Sequence, residues 1–299
     1  MLKSNLKNLF QSKPGFTGTI KVFLIIALLF LSGKDSSAQS QWLDHGTGNS
    51  VSLEIYKPNI PVKPSSFIAG VRPEYTTFSG VAFLSGRYNL SKRLTLIAEL
   101  PMVNGKWDDT VEIQDEGGFK FGNPYIGAEY SLPESPVSVD FGLRIPITEE
   151  GQPQATVYGL RADVDRVSAF IHNIVPITAA VNYRTVSESN ILLNARVGGD
   201  LWFNTKQLGI YTQPLLSVLY TLQTGYIHKN VHFILGLSGN YEIDTGPNTP
   251  DKYNYIEYGL LVTFLFKNIR PAFSLKVPGE DLGKFINYVV GFNFTYGFK

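Results

Sequence analysis

The reactive side chains in this sequence are carboxylates, guanidinium groups and four histidines; there is no thiol. Cys is absent, which excludes disulfides, thiolate metal sites, a cysteine nucleophile and lipid anchoring through an N-terminal Cys. None of His45, His172, His228 and His232 falls in an HExxH pattern, and no GxSxG occurs, so zinc-peptidase and serine-hydrolase chemistry lack their residues. Asp163 and Asp165 are spaced like Ca²⁺ ligands, but two carboxylates fall well short of six or more oxygens. No enzymatic activity, metal or cofactor is expected. What remains is a set of charged groups at alternate positions of otherwise apolar stretches: Arg87, Glu99, Glu129, Asp140, Arg144, Arg184, Arg196, Asp200, His232 and Glu257, with Glu242 and Lys276 on the same parity. Charges of both signs spread over many segments suit the lining of an enclosed interior rather than one catalytic centre.

The elements that would position these groups can be read from composition and period. The chain has 299 residues, 13% of them aromatic and 17% charged, with a formal net charge of +1. That composition argues for a folded chain and against a nucleic-acid partner, which would need a basic footprint. Residues 1–38 are set aside first. Lys3, Lys7, Lys13 and Lys21 precede or open an apolar run from Val22 to Leu31, and Ser36-Ser37-Ala38 follows. This reads as a signal peptide cleaved after Ala38, because the run is too short to span a bilayer as a helix. Its removal would turn the net charge to −3, and residues 39–299 would form the mature domain outside the cytoplasm.

Beyond residue 38 the recurring period is two. Val137, Val139, Phe141, Leu143, Ile145 and Ile147 alternate with Ser138, Asp140, Gly142, Arg144 and Pro146. Ile286, Tyr288, Val290, Phe292, Phe294, Tyr296 and Phe298 alternate with Asn287, Gly291, Asn293, Thr295 and Gly297. Such segments number about twelve: 50–57, 78–90, 93–103, 121–132, 137–147, 176–186, 191–203, 213–226, 231–243, 255–267, 270–277 and 285–298. Most approach ten residues, the length of a tilted transmembrane strand. Their connections alternate between tight turns and long links, as in an up-and-down outer-membrane barrel with an even strand number. The expected fold is therefore an all-β transmembrane antiparallel barrel of about twelve strands, apolar parity toward lipid and polar parity toward the lumen. Tyr and Trp near strand ends, among them Tyr56, Tyr88, Tyr130, Trp202 and Tyr226, would form interface girdles. The alternating aromatic final strand is of the kind read by the barrel-assembly machinery, although Lys299 follows Phe298.

Three segments carry a resemblance. Arg93–Pro101 (RLTLIAELP), Phe121–Tyr130 (FGNPYIGAEY) and Phe141–Ile147 (FGLRIPI), in that order and spacing, resemble the outer-membrane barrel transporters of the phenol meta-degradation pathway, near the fatty-acid and aromatic-hydrocarbon transporters. The similarity covers residues 78–150 well and the rest by strand rhythm. Asn123 stands where that family usually has Asp. The resemblance implies passive uptake of a small apolar or amphipathic solute, with outer-membrane lipid as surroundings.

Two states of the interior fit the residues: a narrow charge-lined pore, or charges that pair across the lumen and plug it. In the second state the protein would be a structural or surface-binding module; a barrel lipase is a more distant alternative, because His232 is expected in the lumen rather than at a lipid-facing rim. The long link Thr148–Val175 carries Tyr158, Leu160, Val164, Val167, Phe170 and Ile171 in a partly helical pattern. The commoner outcome for such a link is a surface helix on neighbouring loops; the functional alternative is an inward lid that sets access.

Overall fold

Alternation forces one face of every strand into lipid and the other into the interior, and closure of the sheet removes the unpaired edges that hydrocarbon cannot tolerate. The computed structural model shows this arrangement. It describes Trp42 and residues 48–59, 71–72, 79–105, 108–109, 118–149, 158–159, 161–206, 214–243, 254–279, 283 and 286–299. The expected signal peptide lies outside the described residues.

The strands in chain order are β1 (Asn49–Asn59), β2 (Val71–Arg72), β3 (Gly80–Asn89), β4 (Leu94–Gly105), β5 (Asp108–Asp109), β6 (Gly118–Phe121), β7 (Tyr125–Ser131), β8 (Val137–Arg144), β9 (Ile174–Val186), β10 (Ile191–Asn204), β11 (Leu215–Ile227), β12 (Val231–Ile243), β13 (Asn254–Phe264), β14 (Ile269–Pro278) and β15 (Tyr288–Phe298). Successive wall strands pair antiparallel, and β1 closes the ring by pairing with β15 on one side, from Asn49↔Phe298 to Asn59↔Tyr288, and with β3 on the other. β6 and β7 both pair with β4 and form one interrupted wall strand, so the barrel has twelve strands. β2 and β5 make a separate two-stranded pair that alternation does not announce.

The inversion of polarity holds. Val139, Phe141, Leu143, Leu235, Phe273 and Phe292 are exposed on the outer face, whereas Asp140, Arg144, Asn293 and Thr295 are buried within. Tyr88, Tyr130 and Tyr226 are exposed as girdle residues should be. Tyr56 and Trp202 are instead buried, and Tyr56 belongs to the polar parity of β1 along with Ser52 and Glu54. The expected strand 121–132 is broken at Gly122-Asn123-Pro124: Pro124 has no N–H for the ladder, and Asn123 turns to a different partner.

Candidate functional site: a lumen closed by an inward loop

That partner is the long link. Val164–Phe170 forms a 3₁₀ turn with Asp163 as its N-cap, whose side chain accepts from the Asp165 N–H at 3.1 Å. The turn is buried inside the barrel, so the link is a plug and not a surface helix. Its apolar side explains why. Tyr158, Ala162, Val164, Ala169 and Phe170 pack against Tyr56, Val81, Phe83 and Val103 of the wall, an apolar inner patch within an otherwise polar lining. Phe83 and Phe170 meet edge to face at 5.7 Å. Leu160 of the expected pattern lies outside the described residues.

Arg166 fixes the plug electrostatically. Its guanidinium donates bidentately to Glu54 on β1, at 2.9 Å to each carboxylate oxygen. It also donates to Glu99 on β4 at 2.8 Å and to Asp163 at 2.6 and 2.8 Å, and it stacks 3.5 Å from the Phe83 ring centroid. Planar fork geometry lets one Arg bridge several carboxylates, which Lys cannot do. Glu54 also accepts from the Tyr56 hydroxyl at 2.7 Å, and Glu99 from Arg144 at 2.8 Å. The neighbouring positive charges, chiefly Arg166, hold the Asp163 carboxyl below its usual range against the opposing effect of burial.

The wall break completes the latch. The Asn123 side-chain amide donates to the carbonyls of Ser168 (3.1 Å) and Ile171 (2.7 Å) and accepts from the N–H groups of Ile147 and Thr148 (both 2.9 Å). Its backbone N–H donates to Ala169 (2.6 Å), and its carbonyl accepts from Arg144 at 3.0 Å. Asn123 thus uses amide donors that a carboxylate lacks.

Most of the sequence-derived lumen residues are brought into this interior or the ion pairs beside it. Glu99 and Arg144 belong to the latch. Arg87 pairs with Glu129 at 3.1 Å, and Arg196 with Asp140 at 2.9 Å, Asp140 also accepting from Asn182 at 2.6 Å. Asp200 accepts from Trp202 (2.7 Å) and Thr178 (2.9 Å). Glu257 pairs with Lys276 at 3.0 Å, and Lys276 lies 3.5 Å from Asp163. His232 is buried, Arg184 only half-buried. His228, four residues before His232, is exposed and stacked on Tyr226, so the two do not converge. A small polar cavity of about 40 Å³ remains between plug and wall, lined by Asp165, Ser168, Thr178, Arg196 and Asp200 among others. That is room for a few waters. The carboxylates of Asp163, Asp165 and Glu257 lie within 4.8 Å of one another, but the Lys276 ammonium already sits among them.

The sequence reading missed Glu54, Tyr56, Asn123, Arg166 and Trp42 as site residues. Parity alone would have placed Glu54 and Tyr56 inside; Arg166 and Trp42 carry no periodic signal. A second cavity, of about 210 Å³ and mainly apolar, opens on the outer face where the β1–β3 ladder ends, lined mostly by outward residues, among them Ile55, Lys57, Ala82, Met102 and Phe119.

No known protein-family profile matches the chain, and no curated protein is similar to it in sequence. Among solved structures, the COG4313 outer membrane channel from Pseudomonas putida F1 matches with a TM-score of 0.56 at 12% identity, over 88% of this chain and 100% of that one. The translocator domain of autotransporter NalP from Neisseria meningitidis gives 0.48 at 10% identity, over 85% and 89%. The P. putida toluene transporter TodX gives 0.44 at 9%, over 85% and 91%. The chain has the fold of a bacterial outer-membrane β-barrel, closed by twelve strands and plugged from within.

Proposed function

We propose that this barrel is a gated, non-enzymatic outer-membrane transporter for passive uptake of a small apolar or amphipathic solute. The observation that carries this reading is the nature of the plug: beside the paired wall charges, the lumen is blocked by a loop pinned chiefly through Arg166 and Asn123 over an apolar patch. Release of these polar contacts would free the loop for a second packing, which a gate requires. The likeness to an outer-membrane channel supports the same direction. The aromatic solutes implied by the phenol-pathway resemblance belong to this class. Arg87, Glu99, Glu129, Asp140, Arg144, Arg184, Arg196, Asp200, His232 and Glu257 would tune passage once the plug moves, and the final strand would direct assembly. Residues 1–38 would act as the export signal.

The test is uptake of a labelled aromatic hydrocarbon by porin-deficient Gram-negative cells with and without the protein. Faster uptake that responds to Arg144→Met and Glu129→Gln is expected. Unchanged uptake from a correctly assembled barrel would overturn the transport reading in favour of a closed structural module.

A further inference from the structure

The interior is held by its own contacts: beyond the plug, Trp42 fills a slot beside Gly259 among Leu192, Ile234, Leu261 and Ala272, and its indole N–H donates to Ser238 at 3.3 Å. The lipid-facing side carries one charge that nothing inside explains. Among the described wall strands, every outward position holds an uncharged residue except Lys57 of β1, which is exposed and in register with the outward Val290 of β15. It stands two residues before the end of β1 at Asn59. That is the end of the long links, which face outward in barrels of this kind, and near an interface a charge on the lipid face costs little. A lysine stem lies along apolar surface there while its ammonium reaches the headgroups.

Lys57 also lines the apolar cavity of the outer face, and strand register explains the hollow. Ile55, Ala82, Met102 and Phe121 form one outward row across β1, β3, β4 and β6. In the next row toward the long links Gly80 pairs with Asn104 and Asn104 with Phe119, and Lys57 stands one step past the last β1–β3 partners, Tyr56 and Val81. The floor is therefore two small residues of β3, Gly80 and Ala82, set between the longer Ile55 and Met102. Phe119, edge to face with Phe121 at 5.6 Å, makes the far wall. The hollow is apolar below, with an ammonium and a carboxamide at its upper end. That is the polarity of a leaflet lipid, chain toward mid-membrane and headgroup toward water.

We propose that this groove is a binding site for a phosphorylated acyl lipid of the outer leaflet, lipid A, with one acyl chain over Gly80 and Ala82 and a phosphate on the Lys57 ammonium. Two observations favour a lipid with several chains over a glycerophospholipid. The groove lies at the end that faces outward, and the surface beside it continues as exposed Val290 and Phe292, in register with Lys57 and Ile55, which gives further chains a bed next to the first. The site belongs to the wall and not to the lumen, so it holds for a transporting barrel and for a closed one alike.

The probe is purified lipid A, titrated onto the refolded barrel in detergent and counted by native mass spectrometry, with folding of every variant verified by a heat-dependent gel shift. The unaltered protein should retain lipid A saturably. Lys57→Met should weaken retention roughly fivefold, the worth of one lysine charge against an anionic lipid surface, and Lys57→Arg should preserve it. Ala82→Phe fills the floor and leaves the charge in place; it should weaken retention comparably, whereas Ala179→Phe, at an exposed outward alanine of β9, should not. Lipid A stripped of its phosphates should bind the unaltered protein no better than intact lipid A binds K57M. Unchanged retention in folded K57M or A82F, or an equal loss in A179F, overturns the proposal. Phosphatidylglycerol should bind at least fivefold more weakly than lipid A; equal binding would make this a general anionic-phospholipid site and overturn the assignment to lipid A.

Discussion

Replacement of Arg166 by Ala tests the proposed gate directly. The guanidinium is buried and shared among Glu54, Glu99 and Asp163, so truncation leaves three carboxylates close together. Of these Glu99 retains Arg144 and Asp163 retains Lys276 at 3.5 Å, while Glu54 keeps the Tyr56 hydroxyl. Breaking one side of a buried charge network costs about 3–5 kcal/mol. Under the proposed gating the cost falls on the closed packing alone, since opening would hydrate Glu54 and Asp163. At about 1.4 kcal/mol per decade, the open-to-closed ratio should rise by roughly two to three and a half orders of magnitude. The assay is single-channel conductance in a planar bilayer, on protein whose folding is verified by a heat-dependent gel shift. Arg166→Lys, which keeps the charge but not the fork, should fall between. If folded R166A and unaltered protein showed the same closed-time distribution, the latch assignment would be refuted.

Asn123 provides an independent handle. Asn123→Ala removes two bonds to plug carbonyls and two from the 147–148 backbone, at about 1 kcal/mol each; the open fraction should increase and the melting temperature fall. Asn123→Asp should open the channel comparably, because a carboxylate would face the Ser168 and Ile171 carbonyls. The pH response should follow Asp165, whose carboxyl is raised well above its ordinary range by burial first and by the charges of Asp163 and Glu257 next. A raised carboxylate pKa leaves the closed state unpenalised at acid pH and weakens it as pH climbs from the unfolded value toward the folded one. Conductance events contributed by this group should therefore become more frequent on alkalinisation, and Asp165→Asn should remove that rise. On the outer face, Phe141→Arg should cost about 2–4 kcal/mol of barrel stability if the residue lies near mid-bilayer, measured as a lower urea midpoint in lipid vesicles. No loss of stability would place Phe141 away from the hydrocarbon.

The sequence by itself determined the wall. Alternation of Val139, Phe141 and Leu143 with Asp140 and Arg144 fixes which faces meet lipid, since a two-residue period allows only two registers and hydrocarbon rejects one of them. Strand lengths and the order of tight and long links then set a twelve-stranded meander, within a few residues at each end. The interior was decided by the tertiary structure. A period-two pattern says that Glu99 and Arg144 point inward but not what they meet, because partners across a lumen are separated by any number of residues. The strand break at Asn123 depends on a loop 45 residues away supplying carbonyls. Arg166 and Trp42 sit on segments without periodicity, and their burial follows from the apolar patch of Val81, Phe83 and Val103 and from the slot beside Gly259, surfaces that exist only once the sheet has closed.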